Sequence, residues 1–164
     1  MHPAHKPSET PATAWLRRQC ADFRCYVYDY VDHGGATWGA EALGLPLHAV
    51  IKTLVMQSES AKPLVVLMHG DCQVSTKTLA RAIGAKTVQP CSPEAAQRHT
   101  GYPVGGTSPF ALRKAMPIYV EATVLELEHI YINGGRRGLL LGMEAAVLTA
   151  QLHARPVHCA LPRV

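Results

Sequence analysis

Two features of the sequence combine residue types that could act on a substrate, and the first is a lysine inside an apolar run. Lys52 follows Val50 and Ile51 and precedes Leu54 and Val55. The aliphatic stem of a lysine can be buried, but its ammonium group loses hydration energy unless it reaches polar surroundings. We therefore expect the head group of Lys52 to point into a polar cleft. An ordinary surface lysine on an edge strand is the alternative that the run alone leaves open.

The second feature is the glycine-rich loop Gly105-Gly106-Thr107-Ser108-Pro109. Glycines leave backbone N–H groups free of side-chain obstruction and permit the turns that aim such groups at a ligand oxygen. A loop of this kind suits an oxyanion, although an ordinary turn can have the same composition. No Gly-Lys-Ser or Gly-Lys-Thr follows it, so the spacing does not match a P-loop.

Two other reaction centres fit the residues less well. No serine lies in a Gly-x-Ser-x-Gly elbow, which argues against a small-molecule hydrolase with a serine-histidine-acid triad, although Ser108 and nine histidines are present. A zinc site would draw on His69, Cys72, Cys91 and His99, whose spacings match none of the paired-ligand patterns. We predict structural histidines and buried thiols here, with no metal and no cofactor.

Composition indicates one globular domain with a modest positive charge. The 164 residues are 48% apolar and 17% charged, which suits a packed core rather than disorder. The net charge of +4 is compatible with a partner that carries phosphate groups. The five cysteines lack paired spacing and no apolar run approaches the roughly 20 residues of a spanning helix, so we expect a cytoplasmic protein with reduced thiols. We also expect a disordered or frayed segment at 1–9 and a single domain at 10–164.

Helix and strand signals follow one another irregularly along the chain. Capping residues and stop signals place helices at 11–21, 38–45, 75–83, 92–99 and 143–152. Apolar runs and alternating patterns place strands at 24–31, 49–56, 63–68, 86–88, 117–121, 130–133 and 139–141. The absence of a repeated strand-helix unit favours an α/β protein of the α+β type, in which short helices surround a strongly curved mixed sheet.

Three segments together resemble a known family. They are Ala-Gln-Arg-His-Thr-Gly-Tyr-Pro-Val-Gly-Gly-Thr-Ser-Pro at 96–109, Val-Ile-Lys-Thr-Leu at 50–54, and Ile-Tyr-Ile-Asn-Gly-Gly-Arg-Arg-Gly at 130–138. They resemble the YbaK/EbsC family of free-standing prolyl-tRNA editing domains, and the likeness runs from residue 10 to about residue 154. The resemblance implies the fold of that family and a deacylase that clears mischarged tRNA.

The resemblance also implies a substrate and partners. The expected substrate is cysteine wrongly attached to tRNA(Pro), bound through the acceptor end of the tRNA, and prolyl-tRNA synthetase is a further candidate partner. Related branches of the family remove alanine, serine or threonine. A noncatalytic tRNA or synthetase accessory module is the alternative from a different class, and the presence of Lys52 argues against it.

The family's functional residues map onto this sequence through its motifs. The catalytic lysine corresponds to Lys52, and the Gly-x-x-x-Pro motif corresponds to Gly105 and Pro109. The implied substrate-binding residues are Tyr28, Trp38, Thr53, Gly106, Thr107, Ser108, Pro109, Asn133 and Gly134. Basic residues near loops and helices form the candidate tRNA-binding set, which is Lys77, Arg81, Arg98, Arg113, Lys114, Arg136 and Arg137.

Three points of the mapping stay open. Tyr26 or Tyr30 could take the place of Tyr28 in an aromatic pocket, and core packing also fits these side chains. Asn133 stands where a serine often precedes the Gly-Gly turn of the family. Leu140 stands where an aspartate often follows, so the sequence leaves open which amino acid is removed.

Overall fold

The computed structural model describes residues 7–162, a range in which ten strands and five α-helices are assigned. The strands are β1 Arg24–Val27, β2 Val50–Ser58, β3 Pro63–His69, β4 Cys72–Val74, β5 Val88–Pro90, β6 Ile118–Glu121, β7 His129–Asn133, β8 Leu139–Glu144, β9 Arg155–Val157 and β10 Ala160–Pro162. The helices are α1 Pro11–Arg18, α2 Gly35–Leu43, α3 Thr76–Ile83, α4 Pro93–Thr100 and α5 Val147–Ala150. Of the expected frayed segment, 1–6 lies outside the described residues, and 7–9 has no regular structure.

Eight of these strands form one mixed sheet. Seven follow the order β1-β8-β7-β2-β3-β6-β9, and β5 also pairs with β2. The pairs β2/β7, β3/β6 and β6/β9 are parallel, and the other pairs in this sheet are antiparallel. Strands β4 and β10 form a separate antiparallel pair. The mixed sheet with short helices confirms the predicted fold class, whereas its strong curvature stays a prediction.

The central strand β3 is covered on both faces, as its unbroken apolar run predicts. Val65 and Leu67 point into the larger core, which also contains side chains from α1, β7 and β8. Leu64, Val66 and Met68 point to the opposite face and pack against α3 and β5. Since successive side chains of a strand alternate between faces, one continuous apolar run supplies two cores.

Three helices begin where their capping residues predict. Thr10, Ser75 and Ser92 cap α1, α3 and α4, and each side-chain oxygen accepts a backbone N–H three residues later. Gly84 and Gly101 end α3 and α4 with positive φ angles. None of the helices in the described range is long and apolar enough to cross a bilayer.

Several sequence-based boundaries are wrong, among them the following three, and pairing with β7 explains the first. The helix predicted at 143–152 shrinks to α5, because β8 continues to Glu144 along β7 and Met143 is buried opposite Ile130. The strand predicted at 24–31 ends at Val27, after which the chain leaves the sheet. The helix predicted from Trp38 begins earlier, at Gly35.

A buried carboxylate fastens the end of the described chain to the sheet. Glu121 at the end of β6 is 1% exposed, and its Oε1 accepts the N–H groups of Cys159 and Ala160 at 2.8 and 3.0 Å. Its Oε2 accepts the N–H group and the hydroxyl of Thr123 at 2.8 and 2.7 Å. Burial raises the pKa of Glu121, but these hydrogen bonds outweigh it and hold the pKa below its usual value. The carboxylate thereby positions β10, which pairs with β4.

Candidate functional site

A cavity of about 640 Å³ opens beside the sheet, and both Lys52 and Gly105 line it. Its walls come from the first half of β2, from the loop after α4, and from the segment that joins β1 to α2. The volume lies within the range of about 300–1,000 Å³ that is typical of small-molecule sites. The lysine and the glycine loop that the sequence singles out therefore meet in one place.

The head group of Lys52 has a fixed direction. Its ammonium donates a hydrogen bond to the carbonyl oxygen of Cys72, 2.6 Å away, in a partly buried position. Cys72 is the first residue of β4, so the pair β4/β10 holds the oxygen that orients this ammonium. An ammonium group has three N–H donors, and the Cys72 carbonyl takes one of them. Sequence reasoning missed this partner, because a backbone carbonyl leaves no signature in residue type.

The glycine at the cavity wall is required by conformation and by space. Gly105 has a φ of +83°, which side-chain-bearing residues rarely adopt. A Cβ at this position would lie 2.6 Å from the hydroxyl oxygen of Tyr30. At Gly106 a Cβ would lie 2.9 Å from the backbone carbonyl carbon of Arg136. The loop can follow this path only with small residues at both positions.

Two carbonyl groups at the start of this loop accept hydrogen bonds from side chains, whereas two N–H groups of the loop have no partner in the described residues. Asn133 Nδ2 donates to the carbonyl of Gly105 at 3.2 Å, and Arg137 Nε donates to the carbonyl of Val104 at 2.8 Å. Within the described residues, the N–H groups of Gly105 and Thr107 have no hydrogen-bond partner, and both residues line the cavity. Because donors are what an oxyanion requires, the loop is suited to bind one.

Aromatic side chains form the outer part of the cavity. Tyr28, Tyr30 and Trp38 line it, whereas Tyr26 packs edge-on against Tyr131. Trp38 is fixed by its indole N–H, which donates to the carbonyl of Asp29 at 2.8 Å. Burial, with a smaller contribution from Tyr30, raises the pKa of Tyr28, so its hydroxyl is neutral at physiological pH. Tyr30 is an aromatic residue that the mapping left as an alternative.

Comparison with known families gives the context of this cavity. The sequence profile of the aminoacyl-tRNA editing domain matches residues 36–150, a range that includes Trp38, Lys52, Gly105 and Asn133. The chain belongs to the aminoacyl-tRNA editing domain family. The matched range leaves out Tyr28 and Tyr30, which this editing domain contributes to the cavity from the segment before α2.

Curated relatives of this editing domain include free-standing proteins and parts of synthetases. EbsC of Enterococcus faecalis, provisionally named a Cys-tRNA(Pro)/Cys-tRNA(Cys) deacylase, is 32% identical over 108 residues, which is 66% of each chain. The protein YwhH of Bacillus subtilis is 24% identical over 98 residues, or 62% of its length. The proline–tRNA ligase of Geobacter metallireducens is 28% identical over 97 residues, only 16% of that enzyme. The matches thus span slightly less than two thirds of the first two relatives.

Solved structures share the fold of this editing domain. One described as a trans-editing enzyme for prolyl-tRNA synthetase superposes with a TM-score of 0.82 at 19% identity, over 94% of this chain and 99% of that one. A hypothetical protein superposes with a TM-score of 0.85 at 22% identity, over 93% and 100% of the two chains. At such identities the likeness establishes the fold alone.

The structure brings together some of the predicted substrate-binding residues and separates others. Those that line the cavity with Lys52 and Gly105 are Tyr28, Trp38, Thr53, Thr107 and Asn133. Those outside its lining are Gly106, Ser108, Pro109 and Gly134. Ser108 is fully buried and its hydroxyl accepts the N–H of Phe110 at 3.3 Å, so within the described residues it supports the loop from behind.

The predicted tRNA-binding residues are dispersed, and Arg137 is the member that lines the cavity. Its guanidinium lies 5.3 Å from the centre of the Tyr30 ring, a cation–π distance.

The other predicted tRNA-binding residues lie away from the cavity lining. Lys77 and Arg81 lie on α3, and Lys114 follows α4. Arg98 and Arg113 border a small separate cleft beside α4. Arg136 donates to the Ser8 hydroxyl at 3.0 Å.

One cluster in the described part of the chain has a composition that could hold a metal. His48, His69 and Asp71 bring ligand atoms within 4.8 Å of one another. However, His69 Nδ1 donates to the His48 carbonyl at 2.7 Å, and its Nε2 lies 2.8 Å from the Thr123 hydroxyl. Burial lowers the pKa of His69. Because both ring nitrogens are engaged, the cluster fits a structural role and would have to rearrange to bind an ion.

Proposed function

We propose that this chain is an aminoacyl-tRNA deacylase, and that it removes cysteine from mischarged tRNA(Pro). The observation that carries the proposal is the shared cavity of Lys52 and Gly105, in a chain of the editing domain family. The name of EbsC supports the choice of cysteine. The cavity volume suits an aminoacyl group with part of the terminal nucleoside.

The chemistry follows from where charge develops. Attack on the ester carbonyl places negative charge on its oxygen, and a positive ammonium with fixed N–H donors stabilises that charge. Lys52 supplies the ammonium, and Gly105 and Thr107 supply N–H groups that have no other partner within the described residues. Because this stabilisation lowers the barrier to attack on the carbonyl carbon, the proposed mechanism does not require a strong protein base.

The nucleophile depends on the substrate. With a cysteinyl ester, the substrate thiol can attack its own carbonyl carbon: the C–S bond forms, the C–O bond breaks, and the ribose oxygen leaves with the proton of the thiol. Holding thiol and ester in one small cavity favours this intramolecular route. With alanine, serine or threonine, a bound water molecule would attack instead.

The cavity wall favours an apolar or sulfur-containing side chain. Leu140, which stands where the family often has an aspartate, lines the cavity together with Val50 and Leu54. Against these aliphatic side chains a serine or threonine hydroxyl would lose hydration, whereas a thiol or methyl group would not. The carboxylate that does line the cavity, Asp32, comes from the segment before α2 and not from the position of Leu140. The cavity therefore supports cysteine first and alanine second.

The proposed macromolecular partner is the acceptor end of tRNA, with prolyl-tRNA synthetase as a second partner. Arg137 lies at the cavity, and the remaining cations are spread over α3, α4 and nearby loops. Dispersed cations suit a rim that contacts phosphates, because each phosphate contact adds modest, salt-dependent affinity. The match to part of a proline–tRNA ligase supports the link to that synthetase.

A panel of purified aminoacyl-tRNAs tests the proposal. Deacylation is measured on tRNA(Pro) carrying cysteine, alanine, serine or threonine, with Pro-tRNA(Pro) as the control that must survive. We expect Cys-tRNA(Pro) to be hydrolysed fastest and Pro-tRNA(Pro) to remain charged. If none of the four aminoacyl-tRNAs is hydrolysed faster than in buffer, the deacylase assignment is wrong and the chain is better described as a noncatalytic accessory module.

A further inference from the structure

Strand β2 has a gap in its hydrogen-bonded edge at Thr53. On this edge the ladder with β7 pairs residues 50–51 with residues 131–132 and then ends. The ladder with β5 pairs residues 56–58, and the carbonyl of Val55 accepts the N–H of Cys91 at 3.0 Å. Thr53 lies between these two ladders, and it lines the cavity.

The direction of the Thr53 backbone follows from strand geometry. In an extended strand the N–H and C=O of one residue point to the same side, and the side alternates along the chain. The Val55 carbonyl points toward β5. Thr53, two residues earlier, therefore points its N–H and C=O to the same edge, whereas Leu54 points toward β3.

Three polar groups of Thr53 are left without protein partners in the described range. Its N–H and C=O face the gap between the ladders. Its hydroxyl oxygen is buried and has no hydrogen-bond partner. Buried polar groups are rarely unpaired, since each one costs free energy relative to its hydrated state. The hydroxyl is such a group, and the N–H and C=O of the same residue face the gap beside the cavity, which indicates a place that a ligand completes.

We propose that the Thr53 edge gap binds the α-amino end of the aminoacyl group. This inference rests on the proposed function and names the part of the substrate that the gap recognises. An α-amino ester carries a donor, its ammonium group, next to an acceptor, its ester oxygen. A residue of a neighbouring strand would present the same pair to Thr53, with its N–H as the donor and its C=O as the acceptor. The ammonium donates to the Thr53 carbonyl, and the Thr53 N–H donates to an oxygen of the same ester. The aminoacyl group thereby extends the edge of β2 by one residue.

The proposal predicts that the enzyme distinguishes free from N-blocked aminoacyl groups. N-acetylation removes the positive charge and two of the three N–H donors of the substrate. Loss of a charge-assisted hydrogen bond lowers kcat/KM for N-acetyl-Cys-tRNA(Pro) about 10- to 100-fold relative to Cys-tRNA(Pro). Equal rates for the two substrates would overturn the inference and leave the deacylase assignment standing.

A variant separates the strand edge from the side chain. Thr53→Val removes the hydroxyl and keeps the backbone N–H and C=O, so the ratio between free and N-acetylated substrates is retained. If this ratio falls to one in Thr53→Val, the hydroxyl is the recognition group and the edge gap is not. The ratio is informative even when the absolute rate of the variant changes.

Amide hydrogen exchange tests the gap without catalysis. In the free protein, the Thr53 N–H is expected to exchange much faster than the Leu54 N–H, which faces β3 and serves as the internal control. An amide-linked cysteinyl-adenosine, which the enzyme cannot hydrolyse as an ester, is expected to slow exchange at Thr53 at least 10-fold, and its N-acetyl form to slow it much less. No protection of Thr53 by the free-amine analogue would overturn the proposal, whatever the outcome of the tRNA panel.

Discussion

Two polar clusters on strands of the same sheet show opposite states of pairing. At Glu121, each carboxylate oxygen accepts two hydrogen bonds, from Thr123 and from the backbone before and within β10. At Thr53, the N–H, the C=O and the hydroxyl have no partner in the described part of the chain. The Glu121 carboxylate finds its hydrogen-bond partners within the protein, whereas the polar groups of Thr53 are free to bind a ligand.

The difference separates residues that hold the fold from residues that act on a ligand. A fully paired buried carboxylate contributes to stability, because removing one partner leaves the others unsatisfied. Unpaired groups at a cavity reduce stability and are retained where binding uses them. Substitutions near Glu121 should therefore change unfolding, and substitutions near Thr53 should change turnover.

The largest expected effect is the loss of activity in Lys52→Ala. Removal of a group that stabilises an oxyanion lowers kcat by about 100- to 1,000-fold. The measurement is single-turnover deacylation of Cys-tRNA(Pro), with circular dichroism to verify folding. Lys62→Ala, at an exposed lysine in the turn between β2 and β3, is the matched control and keeps the wild-type rate. Wild-type turnover in Lys52→Ala would remove Lys52 from the mechanism.

The next effect lies on the structural side of the comparison. Glu121→Gln replaces a carboxylate that accepts four hydrogen bonds with an amide whose NH₂ group faces N–H donors. We expect the free energy of unfolding to fall by about 3 kcal/mol. Urea denaturation measures it, and Glu126→Gln, at an exposed glutamate in the 3-10 turn that follows β6, is the control. An unchanged midpoint would show that the paired cluster does not hold the chain end.

Acid sensitivity follows from the same carboxylate. The pKa of Glu121 is lower in the folded protein than its ordinary value of 4.5, so its contribution to stability is present above about pH 4.5 and is lost as the pH falls through the lowered pKa. The difference in stability between wild type and Glu121→Gln should accordingly shrink below pH 4.5. A difference that is constant down to pH 2.5 would contradict the lowered pKa.

The smallest effects come from a matched pair of hydroxyl deletions. Thr123→Val removes a hydroxyl that donates to Glu121 and should cost about 1–3 kcal/mol of unfolding free energy. Thr53→Val removes a buried hydroxyl without a partner and should leave the unfolding free energy unchanged or raise it by up to about 1 kcal/mol. Denaturation of both variants under the same conditions checks the pair. Equal losses of unfolding free energy in the two variants would contradict the difference in pairing between Glu121 and Thr53.

The parts of the fold that sequence predicted are those that local chemistry decides. Thr10, Ser75 and Ser92 satisfy backbone N–H groups within their own first turn, so the starts of α1, α3 and α4 can be recognised without the rest of the molecule. The apolar run of β3 likewise reports its own burial on both faces.

The parts that sequence missed depend on distant partners. Strands β4, β9 and β10 have three residues each, and each exists because a remote segment pairs with it. The segment after Leu141 has a composition that suits a helix, yet pairing with β7 and β1 keeps it extended to Glu144. The helix propensity of a segment is overridden where neighbouring strands offer its backbone hydrogen-bond partners.

The candidate site divides in the same way. Lys52 and Gly105 carry signals in residue type, and the structure lines one cavity with both. The Cys72 carbonyl that orients Lys52 and the unpaired backbone of Thr53 have no signal of that kind, because every residue has the same backbone groups. Tyr30 and Arg137 are recognisable as residues, but their packing against the loop arises only in three dimensions.

The most direct test is a crystal structure of the protein with amide-linked cysteinyl-adenosine. The account predicts the acyl group in the cavity, with its carbonyl oxygen about 2.7–3.1 Å from Lys52 Nζ and from the N–H of Gly105 or Thr107. An acyl group bound at another surface, or a carbonyl oxygen directed away from both Lys52 and the loop, would contradict it.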